Sequence, residues 1–213
     1  MKPDYSLYLV TDRLCMSART LTKAVEDAII GGCTMVQLRE KDSSSLDFYE
    51  LALEIKKITD IYHTPLIIND RIDIAMAVGA AGVHIGQTDI PAEIVRKMIG
   101  KGMLLGVSVV SVKEAEKAMQ AGADYLGVGA MFPTETKPDA DFVSMEELRM
   151  IRQTVDLPIV VIGGICKENA MLFASMGIDG LAVVSAIIAQ PDIKQAAAIL
   201  KSAFYGKETK NEF

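Results

Sequence analysis

Two aspartates in the sequence each follow a short apolar run of the kind that forms a buried parallel strand. Asp70 comes directly after the run at 66–69, and Asp89 comes shortly after the run at 83–86. Neighbouring parallel strands bring their carboxyl ends to one rim, so the two carboxylates could share a hard cation. Mg²⁺ suits such a pair, because it takes one or two protein carboxylates and keeps positions for water and phosphate. The alternative is that both acids cap helix N-termini.

Polar side chains also occur within the run at 35–39 and just after it. Gln37, Arg39 and Lys41 alternate with Val36 and Leu38, so the two sets point to opposite faces of an extended segment. A buried arginine without a partner is costly, and an anionic ligand would relieve that cost through the forked guanidinium donors. The alternative is a solvated strand end with internal ion pairs.

Single polar residues mark two further strand ends. Ser108 lies at the end of the fifth apolar run, where a lone hydroxyl more often bonds to backbone than to a ligand. Thr134, Thr136 and Lys137 lie in a polar loop after the sixth run. Lys137 would place a cation near the other charges, although a loop lysine is equally often solvated.

Small residues end the last two runs, at Gly163-Gly164 and at Val184-Ser185. Small residues let backbone N–H groups approach a phosphate closely, and tight helix–sheet packing is the alternative reason for glycine there. Together, the cations favour an anion that the two acids would repel, and Mg²⁺-bound pyrophosphate resolves this conflict. A separate phosphate site then indicates a second phosphorylated substrate, and therefore a transferase.

The elements that must position these residues are eight short apolar runs separated by amphipathic segments of helical period. The runs cover residues 7–11, 35–39, 66–69, 83–86, 104–109, 125–130, 159–163 and 181–185. The sequence therefore predicts a single-domain α/β protein, a (βα)8 TIM barrel over residues 1–205, with a loose charged tail at 206–213. A doubly wound open sheet is the alternative, but such a sheet usually ends after five or six strands.

A repeat supports the barrel. Gly32, Gly79, Gly122 and Gly177 each end a helical segment, and two small or polar residues then lead into a strand. Four such double units make eight βα units, which close into a barrel. In such barrels the active site lies at the carboxyl ends of the strands, and the loops after strands 7 and 8 often bind phosphate.

Composition excludes several classes of protein. Half of the 213 residues are hydrophobic and 23% are charged, which is unlike a disordered chain. A net charge of −6 argues against nucleic-acid binding, and no apolar run reaches the ~20 residues of a membrane helix. Cys15, Cys33 and Cys166 show no metal-ligand spacing, so we expect a reducing, cytoplasmic location without a signal peptide. The oligomeric state is left open.

Taken in order, these motifs resemble the thiamine-phosphate synthase (thiamine-phosphate pyrophosphorylase) family over nearly the whole chain. The matching segments are 37–41 (Gln-Leu-Arg-Glu-Lys), 69–71 (Asn-Asp-Arg), 82–89 (Gly-Val-His-Ile-Gly-Gln-Thr-Asp), 106–109 (Gly-Val-Ser-Val), 133–137 (Pro-Thr-Glu-Thr-Lys), 163–165 and 184–185. The resemblance implies an enzyme that joins 4-amino-5-hydroxymethyl-2-methylpyrimidine diphosphate to 4-methyl-5-(2-hydroxyethyl)thiazole phosphate, giving thiamine phosphate and pyrophosphate.

The resemblance also implies roles for individual residues. Asp70 and Asp89 would hold Mg²⁺, and Arg39, Lys41, Lys137 and Ser108 would act at the reacting centre. Gln37, Asn69, Ser108 and the same cations would bind the pyrimidine diphosphate. The thiazole phosphate would bind to Thr134, Thr136, Gly164, Val184 and Ser185. Pyrophosphate would leave first, and the thiazole nitrogen would then capture a pyrimidine methylene cation. No protein nucleophile is needed, and His63 and His84 are interpreted as structural.

Three other functions fit the sequence less well. A thiazole tautomerase of the same fold would not need the pyrophosphate-binding residues, and it tends to carry a histidine where this chain has Val110-Ser111. A non-catalytic thiazole-phosphate binder leaves the acid pair and the cations unexplained. A Schiff-base aldolase needs a lysine within a strand, whereas Lys41 and Lys137 both lie beyond their strands.

Overall fold

The structure is a computed structural model that describes residues 3–134, 136 and 141–205. Eight parallel strands pair in chain order, and β1 also pairs with β8, so the sheet closes into a barrel. This closure confirms the predicted barrel and excludes the open sheet. The strands are β1 (Leu7–Val10), β2 (Met35–Leu38), β3 (Leu66–Asn69), β4 (Gly82–Ile85), β5 (Leu104–Val109), β6 (Tyr125–Val128), β7 (Ile159–Val161) and β8 (Gly180–Val183).

Several strands are shorter at their carboxyl ends than the apolar runs predict. The last two residues of the runs at 125–130, 159–163 and 181–185 lie beyond β6, β7 and β8. These residues leave the strand ladder because they begin the loops of the barrel mouth. Residues 206–213, the predicted tail, lie outside the described residues, as does Lys137.

Helices cover the outside of the barrel. They are α1 (Leu21–Ile30), α2 (Ser45–Ile61), α3 (Ile72–Val78), α4 (Ala92–Ile99), α5 (Val112–Gln120), α6 (Met145–Thr154), α7 (Ser185–Ile188) and α8 (Ile193–Tyr205). The connection between β7 and β8 is an exception to the predicted helical gaps, since it contains a 3₁₀ segment, Ala170–Phe173. Its backbone hydrogen bonds span three residues, as from Leu172 N–H to Asn169 C=O, and this keeps the turn tight.

Local sequence explains where the helices begin and end. Thr20, Ser44, Ser111 and Ser144 are N-caps whose hydroxyl oxygens accept a backbone N–H three residues later. The four repeated glycines, at 32, 79, 122 and 177, all have positive φ angles between 63° and 110°. Because side chains disfavour that conformation, glycine ends each helical segment and turns the chain toward the next strand.

The barrel has two apolar layers. An inner cluster fills the barrel and includes Tyr8, Met35, Ile67, Tyr125 and Val160. A larger outer cluster lies between the strands and the helices and includes Val36 and Leu38 of β2. The predicted alternation of β2 is therefore confirmed. No helix in the described part of the chain is long and apolar enough to cross a membrane.

Candidate active site

The two predicted metal-binding aspartates lie just beyond adjacent strands, β3 and β4, which pair in parallel. Asp70 has a left-handed backbone (φ 61°), and its N–H donates to the His84 carbonyl oxygen at 2.8 Å. Asp89 Oδ2 accepts the Gly86 N–H at 2.7 Å. Neither acid caps a helix, because the N-cap positions of α3 and α4 are Arg71 and Pro91. The helix-capping alternative is therefore wrong for both acids.

The carboxyl groups of Asp70 and Asp89 lie close together. Burial raises the pKa of Asp70, and both the charge of Asp89 and a hydrogen bond with its side chain raise this pKa further. Lys41 opposes this effect, since its Nζ lies 3.4 Å from Asp70 Oδ2. A single lysine beside two carboxylates leaves a local excess of negative charge, which a cation would balance.

The cations after β2 each face an acid. Lys41 pairs with Asp70, and Arg39 Nη1 lies 3.8 Å from Asp12 Oδ2. The ion pairs that the alternative interpretation expected at this strand end are therefore present, but sequence reasoning did not find Asp12 as the partner of Arg39. The Arg39 side chain is 22% exposed and the Lys41 side chain 55%. Both cations thus remain accessible to an anion at the mouth.

Three predicted pyrimidine-site residues lie deeper, within or at the ends of β2, β3 and β5. Gln37 is buried inside the barrel, and its Nε2 donates to the Tyr8 hydroxyl at 2.9 Å. Asn69 ends β3 and pairs in register with His84 of β4. Ser108 Oγ lies 2.9 Å from Nε2 of His84. The structure therefore brings His84 into the site, where it contacts Ser108 directly.

Sequence reasoning missed Tyr8 and Tyr125 and treated His84 as structural only. Strand alternation could have revealed His84, because Val83 and Ile85 belong to the outer layer and His84 must then point inward. A second signal is glycine on the neighbouring strand. His84 pairs in register with Gly106, where a Cβ would overlap the rings of both His84 and Tyr125.

The predicted thiazole-phosphate residues form a second group around β6, β7 and β8. Thr134 and Thr136 lie in one loop, with their hydroxyl oxygens 2.9 Å apart. That loop packs on the end of β7, since Phe132 N–H donates to the Gly163 carbonyl at 3.1 Å. Gly164 has φ 63°, and a Cβ there would lie 2.6 Å from Pro133 O and from Phe132 Cβ. Packing alone therefore requires glycine at 164.

Backbone donors are also available to a phosphate in this group. Within the described residues, the N–H groups of Gly164 and Ser185 donate no hydrogen bond. The Gly164 carbonyl is fixed by Asn169 Nδ2 at 2.9 Å. Ser185 begins α7, and Val184 precedes it without a side-chain cap. These two N–H donors are the features of strands 7 and 8 that suit an anion.

Comparison with known proteins shows similarity to one family of enzymes. A family model described as thiamine monophosphate synthase matches residues 7–187. Thiamine-phosphate synthase of Clostridium beijerinckii is 65% identical over 206 residues, covering 96% of this chain and 99% of the relative. The same enzyme from Ruminiclostridium cellulolyticum is 59% identical over 206 residues, covering 97% and 98%.

A solved structure extends the likeness to the fold. Thiamine phosphate pyrophosphorylase from Pyrococcus furiosus matches with a TM-score of 0.88 and 36% identity, over 96% of this chain and 98% of that one. The shared barrel and the family match together confirm the resemblance seen in the motifs. The chain therefore belongs to the thiamine monophosphate synthase family.

Proposed function

We propose that this chain joins 4-amino-5-hydroxymethyl-2-methylpyrimidine diphosphate to 4-methyl-5-(2-hydroxyethyl)thiazole phosphate, releasing thiamine phosphate and pyrophosphate. The observation that carries the proposal is the acid pair Asp70 and Asp89, with the Lys41 ammonium 3.4 Å from Asp70. Two acids beside cations suit a metal-bound diphosphate, and family membership supports the pyrimidine diphosphate as its identity. A protein that only bound or tautomerised a thiazole phosphate would have no use for the acid pair.

Mg²⁺ fits the donor set at the mouth. Asp70 and Asp89 offer hard carboxylate oxygens, and the pKa of Asp70 is raised because its charge is both buried and next to a second carboxylate. Among the described residues no three His, Cys, Asp or Glu side chains form a metal-binding group. A pair of carboxylates leaves positions for water and diphosphate oxygens, as Mg²⁺ prefers. When bound, the ion supplies charge stabilisation for the departing pyrophosphate.

The chain's own cations would meet the same developing charge. The bond between the pyrimidine methylene carbon and a diphosphate oxygen breaks, and its electron pair leaves with pyrophosphate toward Arg39 and Lys41. Lys137 has the same proposed role, but it lies outside the described residues. The pyrimidine amino group stabilises the methylene cation, and the thiazole nitrogen donates its lone pair to form the new C–N bond. Fixed cations around the leaving group lower the barrier because they need no reorganisation.

The second substrate would bind on the opposite side of the mouth. The Gly164 and Ser185 N–H groups would donate to the thiazole phosphate, next to Val184 and the hydroxyl groups of Thr134 and Thr136. This placement keeps the two phosphorylated groups apart, with the acid pair near one of them only. Binding of the thiazole phosphate should therefore not require Mg²⁺.

We also infer that residues 1–205 form one catalytic domain, because the strands and helices belong to one closed barrel. The location is proposed to be cytoplasmic. Cys15, Cys33 and Cys166 are free thiols, which are common in reducing compartments.

The test is incubation of the protein with both substrates, with Mg²⁺ or with a chelator, followed by chromatography of the products. Thiamine phosphate and pyrophosphate should form in equal amounts, and only when Mg²⁺ and both substrates are present. Absence of both products under complete conditions would contradict the proposal. Conversion of the thiazole phosphate alone, without the pyrimidine, would instead identify a tautomerase.

A further inference from the structure

A continuous chain of hydrogen-bonded side chains crosses the inside of the barrel. Gln37 Nε2 lies 2.9 Å from the Tyr8 hydroxyl, which lies 2.9 Å from the Tyr125 hydroxyl. The Tyr125 hydroxyl lies 3.0 Å from His84 Nδ1, and His84 Nε2 lies 2.9 Å from Ser108 Oγ. The ends of the chain, Gln37 and Ser108, are proposed to bind the pyrimidine substrate. The three residues between them have no assigned role.

The direction of the hydrogen bonds follows from counting donors. The Gln37 amide nitrogen can only donate, so the Tyr8 oxygen accepts from it and the Tyr8 proton must go to Tyr125. Tyr125 then donates its own proton to His84 Nδ1. His84 Nδ1 is therefore an acceptor, and its ring proton lies on Nε2, which donates to Ser108. In this order each of the four hydrogen bonds has one donor and one acceptor, as buried polar groups require.

Two consequences reach the substrate site. Because Gln37 Nε2 is held by Tyr8, the other end of the amide, Oε1, stays an acceptor that no described residue uses. Because Ser108 Oγ accepts from His84, its own proton stays free to be donated. The hydrogen-bonded side chains thus offer a ligand one acceptor, Gln37 Oε1, and one donor, the Ser108 hydroxyl. Burial lowers the pKa of His84 to about 4, which agrees with the neutral ring that this order needs.

The surrounding strands leave room for this chain. A Cβ at Gly106 would overlap the Tyr125 ring and the His84 Nδ1 atom, and a Cβ at Gly127 would lie 3.0 Å from His84 Cε1. Tyr125 and His84 are both fully within the barrel, 0% and 8% exposed. The glycines on β5 and β6 therefore reserve the space in which the two rings meet.

We propose that Tyr8, Tyr125 and His84 are positioning residues that fix Gln37 as an acceptor and Ser108 as a donor, and so select an aminopyrimidine over an oxopyrimidine. This inference rests on the proposed function. An aminopyrimidine brings an amino N–H to Gln37 Oε1 and offers acceptor atoms to the Ser108 hydroxyl. A 4-oxo analogue would place a carbonyl oxygen against Gln37 Oε1, where two acceptors repel. Gln37 Oε1 would then lack a hydrogen-bond donor. Leaving a buried polar group without a partner is costly, and polar binding sites reject analogues for this reason.

The test removes one hydroxyl group from the middle of this series of hydrogen-bonded side chains. Tyr125→Phe keeps the ring but separates Tyr8 from His84. Tyr5→Phe is the matched control. Tyr5 is also buried, and its ring centroid lies 5.2 Å from that of Tyr125. The Tyr5 hydroxyl, however, makes no hydrogen bond with the described residues. Each variant is first checked for folding by circular dichroism and thermal unfolding.

Kinetics then compare the 4-amino and 4-oxo pyrimidine diphosphates. The ratio of their kcat/KM values should fall at least tenfold in Tyr125→Phe and stay at the wild-type value in Tyr5→Phe. The intrinsic reactivity of each pyrimidine cancels, since the same two substrates are compared in every protein. The KM for the thiazole phosphate should not change. An unchanged ratio in folded Tyr125→Phe would overturn the inference.

A spectroscopic measurement tests the proton order without turnover. The chain has only two histidines, so ¹⁵N NMR of the imidazole nitrogens is readily assigned with a His63→Gln variant. The free wild-type protein should show His84 with its proton on Nε2, and Tyr125→Phe should show a mixture of tautomers. A proton on Nδ1 in the wild type would overturn the order. Failure of the wild type to form thiamine phosphate would contradict the proposed function alone, because the tautomer is measured without substrate.

Discussion

Replacing Asp70 by asparagine isolates the charge of the acid pair from the shape of the backbone. Asp70 has a left-handed conformation with φ 61°. Asparagine adopts this conformation at least as readily as aspartate, whereas alanine pays about 1–2 kcal/mol for it. Asp70→Asn should therefore remove one negative charge and leave the loop between β3 and α3 in place. Asp70→Ala should lose the same charge and also be less stable, by about 1 kcal/mol.

The effect of Asp70→Asn on stability without metal should be small, because its terms oppose one another. The variant loses an ion pair with Lys41, which is worth about 0.5 kcal/mol since the lysine side chain is 55% exposed. It gains relief from the burial of a charge and from repulsion by Asp89, the causes that raise the pKa of Asp70. We expect the free energy of unfolding to change by less than about 1 kcal/mol.

The effect on activity should be large. Loss of one of the two carboxylates proposed to bind Mg²⁺ should lower kcat/KM at least tenfold, or about 1.4 kcal/mol of transition-state stabilisation. The assay follows thiamine phosphate formation across a Mg²⁺ titration. A parallel measurement follows urea unfolding with and without Mg²⁺, where wild-type protein at 100 times its Kd should gain about 2.7 kcal/mol. Asp70→Asn should gain much less.

Asp73→Asn is the matched control, because Asp73 lies in the first turn of α3 and pairs with Arg71 outside the acid pair. This variant should keep both the activity and the stabilisation by Mg²⁺. The reasoning would be refuted if Asp70→Asn were as active as the wild type at every Mg²⁺ concentration. Equal stabilisation of Asp70→Asn and wild type by Mg²⁺ would likewise show that the ion binds elsewhere.

Three further predictions concern single side chains. Lys41→Ala should lower kcat at least tenfold with little change in the free energy of unfolding. Its control is Lys56→Ala on α2, which should leave kcat unchanged in the same assay. Arg96→Met should lower the free energy of unfolding by about 2 kcal/mol in urea, because it breaks the 2.5 Å pair with Asp124, but should spare kcat of the folded protein. Burial lowers the pKa of His84 from 6.5 to about 4 in the folded protein. Between pH 6.5 and pH 4, His84 is therefore protonated in the unfolded chain but neutral in the folded protein. Acidification from pH 7 to pH 5 should therefore cost about 2 kcal/mol of stability that His84→Asn no longer loses, and an equal loss in that variant would disprove the assignment.

The parts of the fold that sequence predicted are those with local causes. Strand alternation placed Gln37 inside the barrel and Val36 outside it, because successive side chains of a strand point to opposite faces. The helix ends followed from the repeated glycines, whose positive φ angles need no tertiary information. The closeness of Asp70 and Asp89 also followed, since consecutive strands of a βα barrel are neighbours.

The parts that sequence did not predict depend on contacts between distant segments. Tyr8 and Tyr125 are 117 positions apart, and their hydroxyl groups meet only because the barrel closes. The pairing of Arg39 with Asp12 likewise needs β1 beside β2. Two reasons for glycine at 164, the approach of a phosphate and tight packing, could not be separated from sequence, because the contact with Pro133 that shows the packing needs the folded loop. Pattern reasoning thus finds residue types at the mouth but not their partners.

The opposite end of the barrel shows how the fold can hold a repulsive acid pair at its mouth. In three of the four glycine repeats, the residue two positions after the glycine accepts the N–H of the first or second residue of the preceding strand. Asp124 accepts from Leu105 at 2.7 Å, Asp179 accepts from Ile159 at 2.9 Å, and Thr34 accepts from Leu7 at 3.1 Å. In the fourth repeat the position is Ala81, whose side chain has no acceptor.

Arginines pair with the two aspartates of these contacts. Arg96 of α4 binds Asp124 and the carbonyl oxygens of Gly122 and Met103, so one side chain ties a helix to the entrances of β5 and β6. Arg152 of α6 lies 3.6 Å from Asp179 in the same way. Because these pairs are at the amino-terminal ends of the strands, they stabilise the barrel without contacting a ligand. Charge at the mouth is then free to serve binding and catalysis, even where, as at Asp70 and Asp89, it opposes folding.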